Sequence, residues 1–506
     1  MNKELVVDIN RFQTRVVLLE NGQPTEIYIE HRGHERLVGN IYSGKVQNVL
    51  PGMQAAFVDI GLERNAFLYV GDIQIERSDF QFYDTSQELR IPLPNIQDMV
   101  VPGQQIMVQV LKEPAGTKGA RITTHITLPG RTLILMPTVN YVGVSRRIAD
   151  EEERKRLRAV LETLKPSGMG LIVRTVAEGK SKEEFKSDIK FLERLWRRIS
   201  QKRTLVKAPC LLHAEEPLVF RTIRDLFTPD IERLTINDAE FYERVLVIAS
   251  IISPKLSKRV KLYEGEEDLF DYYDLESKIE KALSRCVWLA NGGYIIIDQT
   301  EAFTSIDVNT GRFVGTDNLQ ETITQANCEA AKEIARQLRL RDIGGIIIVD
   351  FIDMEDIADK ERVLDTLKTE LKKDRTKSNV LGITQLGLVE MTRKKTRQSI
   401  SQTLQIPCPC CNGTGKVLSP ETTVLKVRKM LHKNMLNETM KHYLVEVHSE
   451  IADLIEECSY TKTPLLPVAQ GRSVYVKVVP EFNIDEFRIH SLPKAPENTE
   501  GLRRYD

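Results

Sequence analysis

The sequence has no hydrophobic run long enough to cross a membrane. Its longest apolar stretches, residues 245–252 and 346–349, are far shorter than the roughly 20 residues that a membrane-spanning helix needs. The N-terminal residues MNKELVVDINRF are charged and lack the apolar core of a signal peptide. We therefore expect a cytoplasmic protein without a membrane span.

Cysteine is scarce and odd in number, with seven in 506 residues. Four of them, Cys210, Cys286, Cys328 and Cys458, are scattered without the spacing of metal ligands. Because an export signal is also lacking, we expect these four to be reduced and mostly buried. The other three stand together in CPCC, at 408–411.

Neither sign of charge is in excess, since 71 lysines and arginines face 72 aspartates and glutamates. That balance argues against a uniformly basic protein but not against local basic clusters, which matter more for nucleic-acid binding. Such clusters occur in KKDRTK (372–377) and RKKTR (393–397). Each alone could be a solvated surface, whereas several around one site would favour a track for phosphates.

Length and periodicity predict several domains with mixed helices and strands. No internal repeat is visible. The predicted elements are an antiparallel sheet at 4–31 with a hairpin turn at Asn21-Gly22, a strand-rich closed barrel at 38–123, helices at 150–164 and 183–199 (the second with a capping box at Ser181 and Glu184), two strands around a helix at 318–341, a helix at 424–444, a strand at 473–480 and disordered residues at 493–506.

Two aspartates end apolar runs in the part of the chain with alternating strands and helices. Asp307 lies in FTSIDVNTG, with Asn309 two residues later, and Asp350 lies in GGIIIVDFIDM. Carboxylate and amide oxygens are what Mg²⁺ prefers, and an ion held there can polarise a phosphodiester and activate water. Capping of a helix or turn is the alternative role. Asp298 and Asp353 are similarly placed and are weaker candidates.

Longer motifs follow one another in the order VSRRI, LIVRTV, SIDVNTG, ANCEAAKEIARQLRLRDIGG, IIIVDFIDM and CPCCNGTG. In these motifs the chain resembles the ribonuclease E/G family of bacterial endoribonucleases, over Lys3 to Val417. The remaining residues carry no long acidic or proline-rich tail, which is closer to the short ribonuclease G type than to the E type.

The resemblance implies that Asp307 and Asp350 hold a catalytic Mg²⁺, and that Asn309 orients Asp307 or assists at the metal. It implies endonucleolytic cleavage of single-stranded, AU-rich RNA in rRNA processing and mRNA decay, which leaves 5′-phosphate and 3′-hydroxyl ends. These ends suit attack by a metal-activated water without the ribose 2′-hydroxyl. Mn²⁺ could substitute for Mg²⁺ at an oxygen site.

The resemblance also implies an α/β multidomain fold. A ribonuclease H-like scaffold would be split between residues 1–35 and 214–283. An S1 (OB-type) RNA-binding barrel at 36–123 and a 5′-sensor region at 124–213 would be inserted into it. A DNase I-like α/β catalytic domain (284–403), a zinc link (404–417) and a small C-terminal α/β domain with a disordered end (418–506) would follow.

Aromatic and basic residues of the predicted barrel are candidates for RNA binding. Phe57 and Phe67 lie on adjacent predicted strands and could stack on bases, although a phenylalanine in a strand is often a core residue. The resemblance places an RNA-gripping surface at these two positions and a basic contact at Lys118. Arg146 and Arg147, in VSRRI, add a charged pair in a predicted surface loop.

LIVRTV places Arg174 and Thr175 at the end of an apolar strand. There a guanidinium and a hydroxyl could bind a terminal phosphate, or the arginine could join a surface salt bridge. The resemblance implies a sensor for a 5′-monophosphate at these residues, with Gly130 and Ile134 approaching the phosphate through the backbone. Lys377 stands where the family often has arginine, and because lysine lacks the planar fork we expect weaker 5′-end discrimination.

CPCC contains a Cys-x-x-Cys knuckle, and Asn412-Gly413 behind it lets the backbone bend around the sulfurs. A structural zinc site needs four ligands, and the chain has no second such pair. A redox dithiol, a site completed by a distant residue and a site shared between two chains are all open on these grounds. The resemblance favours the shared Zn²⁺ site, with Cys408 and Cys411 as ligands, Cys410 as an extra thiol, and a zinc-linked homodimer that pairs further into a homotetramer.

Two other functions remain open from the sequence. A non-catalytic, zinc-linked RNA-binding or assembly protein would use the same barrel, but an inactive relative should have lost Asp307 or Asp350, and both are present. An Mg²⁺ phosphatase acting on small phosphoesters would explain the aspartates but would leave the barrel and the basic clusters without a role.

Overall fold

The structure is a computed structural model that describes residues 2–33, 36–73, 94–114, 118–145, 147–148, 150–252, 254–312, 319–437, 440–459, 466, 471–496, 498 and 501–505. The chain divides into two units, Met1–Thr403 and Leu404–Asp506. In the described residues of these units, no helix is both long enough and apolar enough to cross a membrane.

Both units contain strands and helices. The strands are β1 (Lys3–Ile9), β2 (Gln13–Glu20), β3 (Gln23–His31), β4 (Ile41–Leu50), β5 (Ala55–Asp59), β6 (Ala66–Tyr69), β7 (Gln105–Lys112), β8 (Arg121–Thr123), β9 (Leu128–Pro129), β10 (Leu133–Met136), β11 (Val142–Val144), β12 (Gly170–Val173), β13 (Cys210–His213), β14 (Arg233–Ile236), β15 (Val260–Leu262), β16 (Cys286–Trp288), β17 (Tyr294–Gln299), β18 (Phe303–Asn309), β19 (Gly345–Asp350), β20 (Ser378–Ile383), β21 (Val389–Arg393), β22 (His442–Val447), β23 (Ser473–Val478), β24 (Phe487–Leu492) and β25 (Leu502–Tyr505). The helices are α1 (Ile96–Met99), α2 (Glu151–Leu164), α3 (Lys182–Leu205), α4 (Leu218–Asp225), α5 (Ala239–Ile252), α6 (Pro254–Ser257), α7 (Leu269–Tyr272), α8 (Leu275–Leu283), α9 (Leu319–Leu340), α10 (Ile357–Leu371), α11 (Ile400–Leu404), α12 (Pro420–Asn437) and α13 (Ser449–Ser459).

The first sheet combines two distant parts of the chain. Its strand order is β15-β14-β1-β2-β3, so residues 3–31 and 233–262 share one sheet, and the segments between them are inserted. β1, β2 and β3 are antiparallel neighbours, which confirms the predicted antiparallel strands and the hairpin turn between β2 and β3. Asn21 and Gly22 have φ values of 52° and 75°, the left-handed conformation that a tight two-residue turn requires.

The second sheet has six strands, five of which close into a barrel, while β13 pairs with β4 outside the ring. β4, β5, β6, β8 and β7 follow one another, and β4 pairs with β7 to close the ring. This agrees with the predicted S1-like barrel. Alternate residues such as Val46, Val58, Leu68 and Val108 point inward and are buried, so the intervening residues are left on the outer surface.

Residues 128–205 form a small sheet packed with two helices. The strand order is β11-β12-β10-β9, and hydrophobic residues of α2 and α3 join its core. The predicted capping box at the start of α3 is confirmed, because the Ser181 and Glu184 side chains each accept a hydrogen bond from the other residue's backbone. Residues of β10 and β12 in this sheet line the cleft described below.

α9 and α10 cover one face of the third large sheet. Its order is β16-β17-β18-β19-β21-β20, with β18 and β19 parallel and joined through α9. Ile306, Val308, Ile347 and Val349 point toward α9 and α10, where they pack in a core with Leu367. Residues of opposite parity along the same strands lie on the other face, which bears the acidic residues.

The second unit contains a four-stranded sheet, β24-β22-β23-β25, with α12 and α13. Two predictions about it are wrong. Residues 442–444 belong to a strand rather than to the end of a helix, because β22 pairs with both β23 and β24. The expected disordered end is a strand at Leu502–Tyr505, because β25 pairs antiparallel with β23 and so satisfies its backbone groups.

Candidate functional site

The two predicted acidic residues lie side by side. Asp307 on β18 is the direct register partner of Asp350 on the parallel strand β19. Both are exposed, while Ile306, Val308 and Val349 beside them are buried on the opposite face. Asp350 ends its strand as predicted, but Asp307 lies two residues inside β18. Neighbouring strands are about 4.8 Å apart, so the two carboxylates share one small surface.

Asn309 is positioned to orient the first of these carboxylates. Its Nδ2 donates a hydrogen bond of 2.8 Å to Oδ2 of Asp307. The two residues are two positions apart on one strand and therefore face the same side of the sheet. The amide thus fixes the rotation of the Asp307 carboxylate while the carboxylate remains exposed.

The electrostatics of the pair favour a bound cation. The pKa of Asp350 is raised by partial burial and then by the negative charges of Asp307 and Asp353. Asp298 behaves differently, because Nη2 of Arg285 lies 2.7 Å from its Oδ2 and this contact lowers the pKa of Asp298. Asp298 is therefore already neutralised, whereas the Asp307–Asp350 pair repels itself.

These donors fit Mg²⁺ in number and kind. In the described part of the chain, no three His, Cys, Asp or Glu side chains form a group that could hold a metal ion. Mg²⁺ is commonly held by one or two carboxylates together with water and substrate phosphates, so a pair of carboxylates is sufficient. Residues 313–318, which follow this site in the chain, lie outside the described residues.

A large cleft of about 2640 Å³ runs through the first unit. Its walls include β3, the ends of β10 and β12, and the segments 371–378 and 393–398. The lining contains 15 lysines and arginines and 8 aspartates and glutamates, so this surface is basic although the whole chain is not. Both predicted basic clusters contribute to the cleft.

The second basic cluster is only partly a surface cluster. Arg393 is 4% exposed and pairs with the buried carboxylates of Asp342 and Asp374, each at 2.7 Å. The guanidinium of Arg397 lies 3.7 Å from the ring centre of Tyr28. These two arginines therefore stabilise the structure around the cleft, and Lys394 and Lys395 are the exposed charges of this cluster.

The predicted 5′-phosphate residues gather in this cleft. Arg174, Thr175, Ile134 and Lys377 all line it. Nη1 of Arg174 donates to the carbonyl of Gly130 at 2.7 Å. Four of the five predicted residues thus line one large cleft, and the fifth, Gly130, contacts Arg174 through its carbonyl.

Arg174 also makes the salt bridge that was the alternative role, because its Nη2 lies 2.7 Å from Oδ1 of Asp225. Sequence reasoning missed Asp225 and Ser145, and it gave Arg375 no role beyond the first basic cluster. The Ser145 hydroxyl lies 3.1 Å from that of Thr175, and Nη1 of Arg375 donates to the Asp225 carbonyl at 3.3 Å. Nothing in the local sequence pattern links Asp225 to LIVRTV, since its distance along the chain hides the contact.

Gly130 differs from expectation in its surroundings. Its N–H is used within its own hairpin, donating to the Leu133 carbonyl at 2.8 Å. A Cβ at this position would lie 2.6 Å from the Asp188 carboxylate. The glycine therefore makes room for Asp188, which accepts hydrogen bonds from Thr132 and from the Leu133 N–H.

The barrel residues form a row across neighbouring strands. Phe57 and Phe67 are direct partners, half-buried on the outer surface, with ring centres 6.1 Å apart in an edge-to-face arrangement. The row continues on either side through Asn48, Arg121 and Lys112. Both rings are absent from the barrel interior, so the structure leaves them accessible to a ligand.

The other predicted barrel and loop contacts are exposed where described. Lys118 is exposed just before β8, and Gly119 beside it passes so close to Asn65 that a Cβ would lie 2.0 Å from the Asn65 carbonyl oxygen. Arg147 is exposed and lines the cleft. Arg146 lies outside the described residues.

The cysteines of the second unit form a compact turn. Asn412 and Gly413 have φ values of 49° and 81°, which bends the chain behind the knuckle. The Gly415 N–H donates to Sγ of Cys411 at 3.2 Å, and this hydrogen bond lowers the pKa of Cys411. Cys410 is exposed, and its pKa is raised by desolvation and then by the nearby groups Cys408, Asp485 and Cys411. Cys408 is exposed, and Cys408 and Cys411 have the sequence spacing of a zinc knuckle.

Comparison with known proteins places this arrangement in context. Residues 127–396 match the model of the Ribonuclease E/G family. Ribonuclease G of Haemophilus influenzae is 42% identical over 487 residues, 96% of this chain and 99% of that protein. Ribonuclease G of Escherichia coli is 40% identical over 489 residues, 97% and 99% of the two chains. Ribonuclease E of Haemophilus influenzae is 39% identical over 459 residues, 90% of this chain but 48% of that protein.

Proposed function

Because the chain belongs to the ribonuclease E/G family, it is a hydrolytic enzyme that acts on RNA, and we propose that it is an Mg²⁺-dependent endoribonuclease. It cleaves single-stranded, AU-rich RNA, leaves 5′-phosphate and 3′-hydroxyl ends, and acts on rRNA precursors and mRNA in the cytoplasm. The observation that carries this proposal is the exposed acidic pair, Asp307 opposite Asp350 on parallel strands.

The acidic pair would hold Mg²⁺, or Mn²⁺ in its place. When bound, the ion supplies Lewis acidity toward the phosphodiester and lowers the pKa of a water molecule for hydrolysis. Asp307 and Asp350 provide the negative charge that binds the cation. Asn309 keeps the Asp307 carboxylate in one orientation through its 2.8 Å hydrogen bond.

Single-stranded RNA fits the surfaces that accompany this pair. Phe57 and Phe67 offer aromatic surface to bases that are not stacked in a duplex, and Lys118 and Arg147 offer charge to the backbone. The basic cleft extends this surface with the lysines of both clusters. Neither feature is needed by a phosphatase acting on small phosphoesters.

A 5′-monophosphate would bind in the cleft beside Arg174 and Thr175. The Gly130 carbonyl and Asp225 fix the Arg174 guanidinium, so its remaining N–H donors keep a set direction. Ile134 forms part of the wall, and Lys377 adds a charge without a planar fork. We therefore propose stimulation by a 5′-monophosphate that is weaker than a second arginine would give.

Zn²⁺ would link two chains through Cys408 and Cys411 of each. One chain supplies a pair of thiols at the spacing of a zinc knuckle, and a hydrogen bond already favours the thiolate of Cys411. Two chains complete four ligands. The proposed assembly is a zinc-linked homodimer that pairs further into a homotetramer.

The proposed activity is tested by incubating an AU-rich single-stranded RNA with the protein in Mg²⁺ and mapping the product ends. We expect internal cuts with 5′-phosphate and 3′-hydroxyl ends that are lost in Asp307→Asn and Asp350→Asn. Asp298→Asn is the matched control, because Asp298 lies on the same sheet but is paired with Arg285. Tight RNA binding without cleavage by the native protein would refute the nuclease proposal and favour an RNA-binding protein.

A further inference from the structure

The chain leaves the third large sheet at the end of β19, immediately after Asp350, and forms no other helix or strand before α10. Along this segment Asp350 and Asp353 are exposed, while Phe351 and Met354 are buried in the core. A shift of this segment by one residue along the chain would bring acidic residues into the core and apolar residues to the surface. The direction of the carboxylates therefore depends on how firmly the backbone of this segment is held.

One side chain holds that backbone at its centre. Asn327, on α9, is fully buried, and its Nδ2 donates to the Ile352 carbonyl at 2.8 Å. Its Oδ1 accepts from the Ile352 N–H at 3.0 Å. Asn327 thus pairs with Ile352 as a neighbouring strand would, although β19 has already ended.

The backbone of this segment needs such hydrogen bonds because the acidic residues repel one another. Asp350 is the direct register partner of Asp307 on the neighbouring strand, and Asp353 is exposed three residues further along the same segment, so like charges lie close together. A loosely held segment would relieve the repulsion by turning Asp350 away from Asp307. The paired hydrogen bonds to Ile352 oppose this movement.

We propose that Asn327 is a positioning residue for the cation site, and that it acts by fixing Ile352 between Asp350 and Asp353. The inference rests on the proposed function, because it assumes that the acidic pair binds the catalytic ion. Asn327 touches neither carboxylate and takes no part in the reaction. It sets the geometry in which the carboxylates meet the ion.

The test compares Asn327→Leu, which fills a similar volume without hydrogen bonds, with Thr324→Val. Thr324 is the matched control because it is equally buried on α9, but its hydroxyl donates to the Gln320 carbonyl of its own helix. Four quantities are measured: Mn²⁺ affinity by calorimetry without RNA, hydrogen exchange of residues 351–355 without metal, RNA affinity in EDTA, and the Mg²⁺ concentration that gives half-maximal cleavage.

In Asn327→Leu we expect Mn²⁺ affinity to fall by about 10- to 100-fold, as is typical when a partner outside the ligand set is lost. Exchange at residues 351–355 should become faster, and the Mg²⁺ concentration that gives half-maximal cleavage should rise. RNA affinity in EDTA should not change, because Asn327 lies away from the RNA-binding surfaces. Thr324→Val should match the native protein in all of these measurements.

Unchanged Mn²⁺ affinity in a folded Asn327→Leu protein would overturn the inference. An equal loss in Thr324→Val would also overturn it, because the effect would then belong to the helix core. If the leucine variant does not fold, Asn327→Ala is judged by the same criteria. Asp350→Asn separates the two proposals. If this variant keeps Mn²⁺ affinity and cleavage, the proposed function fails. If it loses both while the Asn327 variants keep native Mn²⁺ affinity, only this inference fails.

Discussion

Removing one ring of the barrel pair should weaken RNA binding by a predictable amount. Stacking of a base on an aromatic side chain contributes about 1–3 kcal/mol, which corresponds to roughly 5- to 150-fold in affinity. Phe57 and Phe67 are half-buried, so only part of each ring can meet a base. We therefore expect Phe57→Ala to fall in the lower part of this range, about 5- to 30-fold.

The edge-to-face contact of the two rings makes the prediction sharper. With ring centres 6.1 Å apart, one base can contact both rings, so the two substitutions should not be independent. The double variant Phe57→Ala with Phe67→Ala should lose less than the product of the single losses. Binding to a short single-stranded RNA, measured by fluorescence anisotropy in EDTA, gives the three dissociation constants.

A control and a salt series complete this test. Phe191 is 55% exposed on α3, outside the barrel, and Phe191→Ala should bind RNA as the native protein does. The dependence of affinity on salt should be the same for the Phe57 variant and the native protein, because no phosphate contact is removed. Unchanged affinity in Phe57→Ala, or an equal loss in Phe191→Ala, would refute the stacking role.

Three further changes test the cleft and the zinc site. Arg393→Met leaves the buried carboxylates of Asp342 and Asp374 without their partner. Hydrogen exchange should therefore show that the local stability of β21 falls by about 3–5 kcal/mol, and unchanged exchange would contradict the structural role. Arg174→Lys keeps the charge but loses the planar fork, so the rate ratio between 5′-monophosphate and 5′-hydroxyl RNA should fall about tenfold, whereas an unchanged ratio would remove Arg174 from the sensor. Cys411→Ser should lose bound zinc in metal analysis and sediment as a smaller species than the native protein; retained zinc would exclude Cys411 as a ligand.

Local signals in the sequence were sufficient where structure depends on neighbouring residues. Asn21-Gly22 predicted its hairpin because few other pairs adopt left-handed φ at both positions. Ser181 and Glu184 predicted the start of α3 because their side chains cap each other. The apolar runs predicted strands ending at Asp307 and Asp350, and the structure places Asp350 at the end of β19 and Asp307 opposite it, two residues inside β18.

The features that sequence reasoning missed depend on contacts with residues distant in sequence. Leu502–Tyr505 looked disordered because only pairing with β23 gives this short polar segment a stable conformation. Arg393 looked like part of a solvated cluster because Asp342, its partner, is distant in sequence. Asn327 is a polar residue within a helical pattern, and nothing in α9 shows that its amide reaches Ile352.

The central claim is that a cation held by Asp307 and Asp350 acts on the phosphodiester that is cut. The most direct measurement is cleavage of an RNA in which sulfur replaces one non-bridging oxygen at the cut phosphate. We expect one sulfur diastereomer to be cut slowly in Mg²⁺ and to regain speed in Mn²⁺, which accepts sulfur more readily. Slow cleavage of that diastereomer in both ions, or no slowing of either diastereomer in Mg²⁺, would contradict a cation in contact with that phosphate.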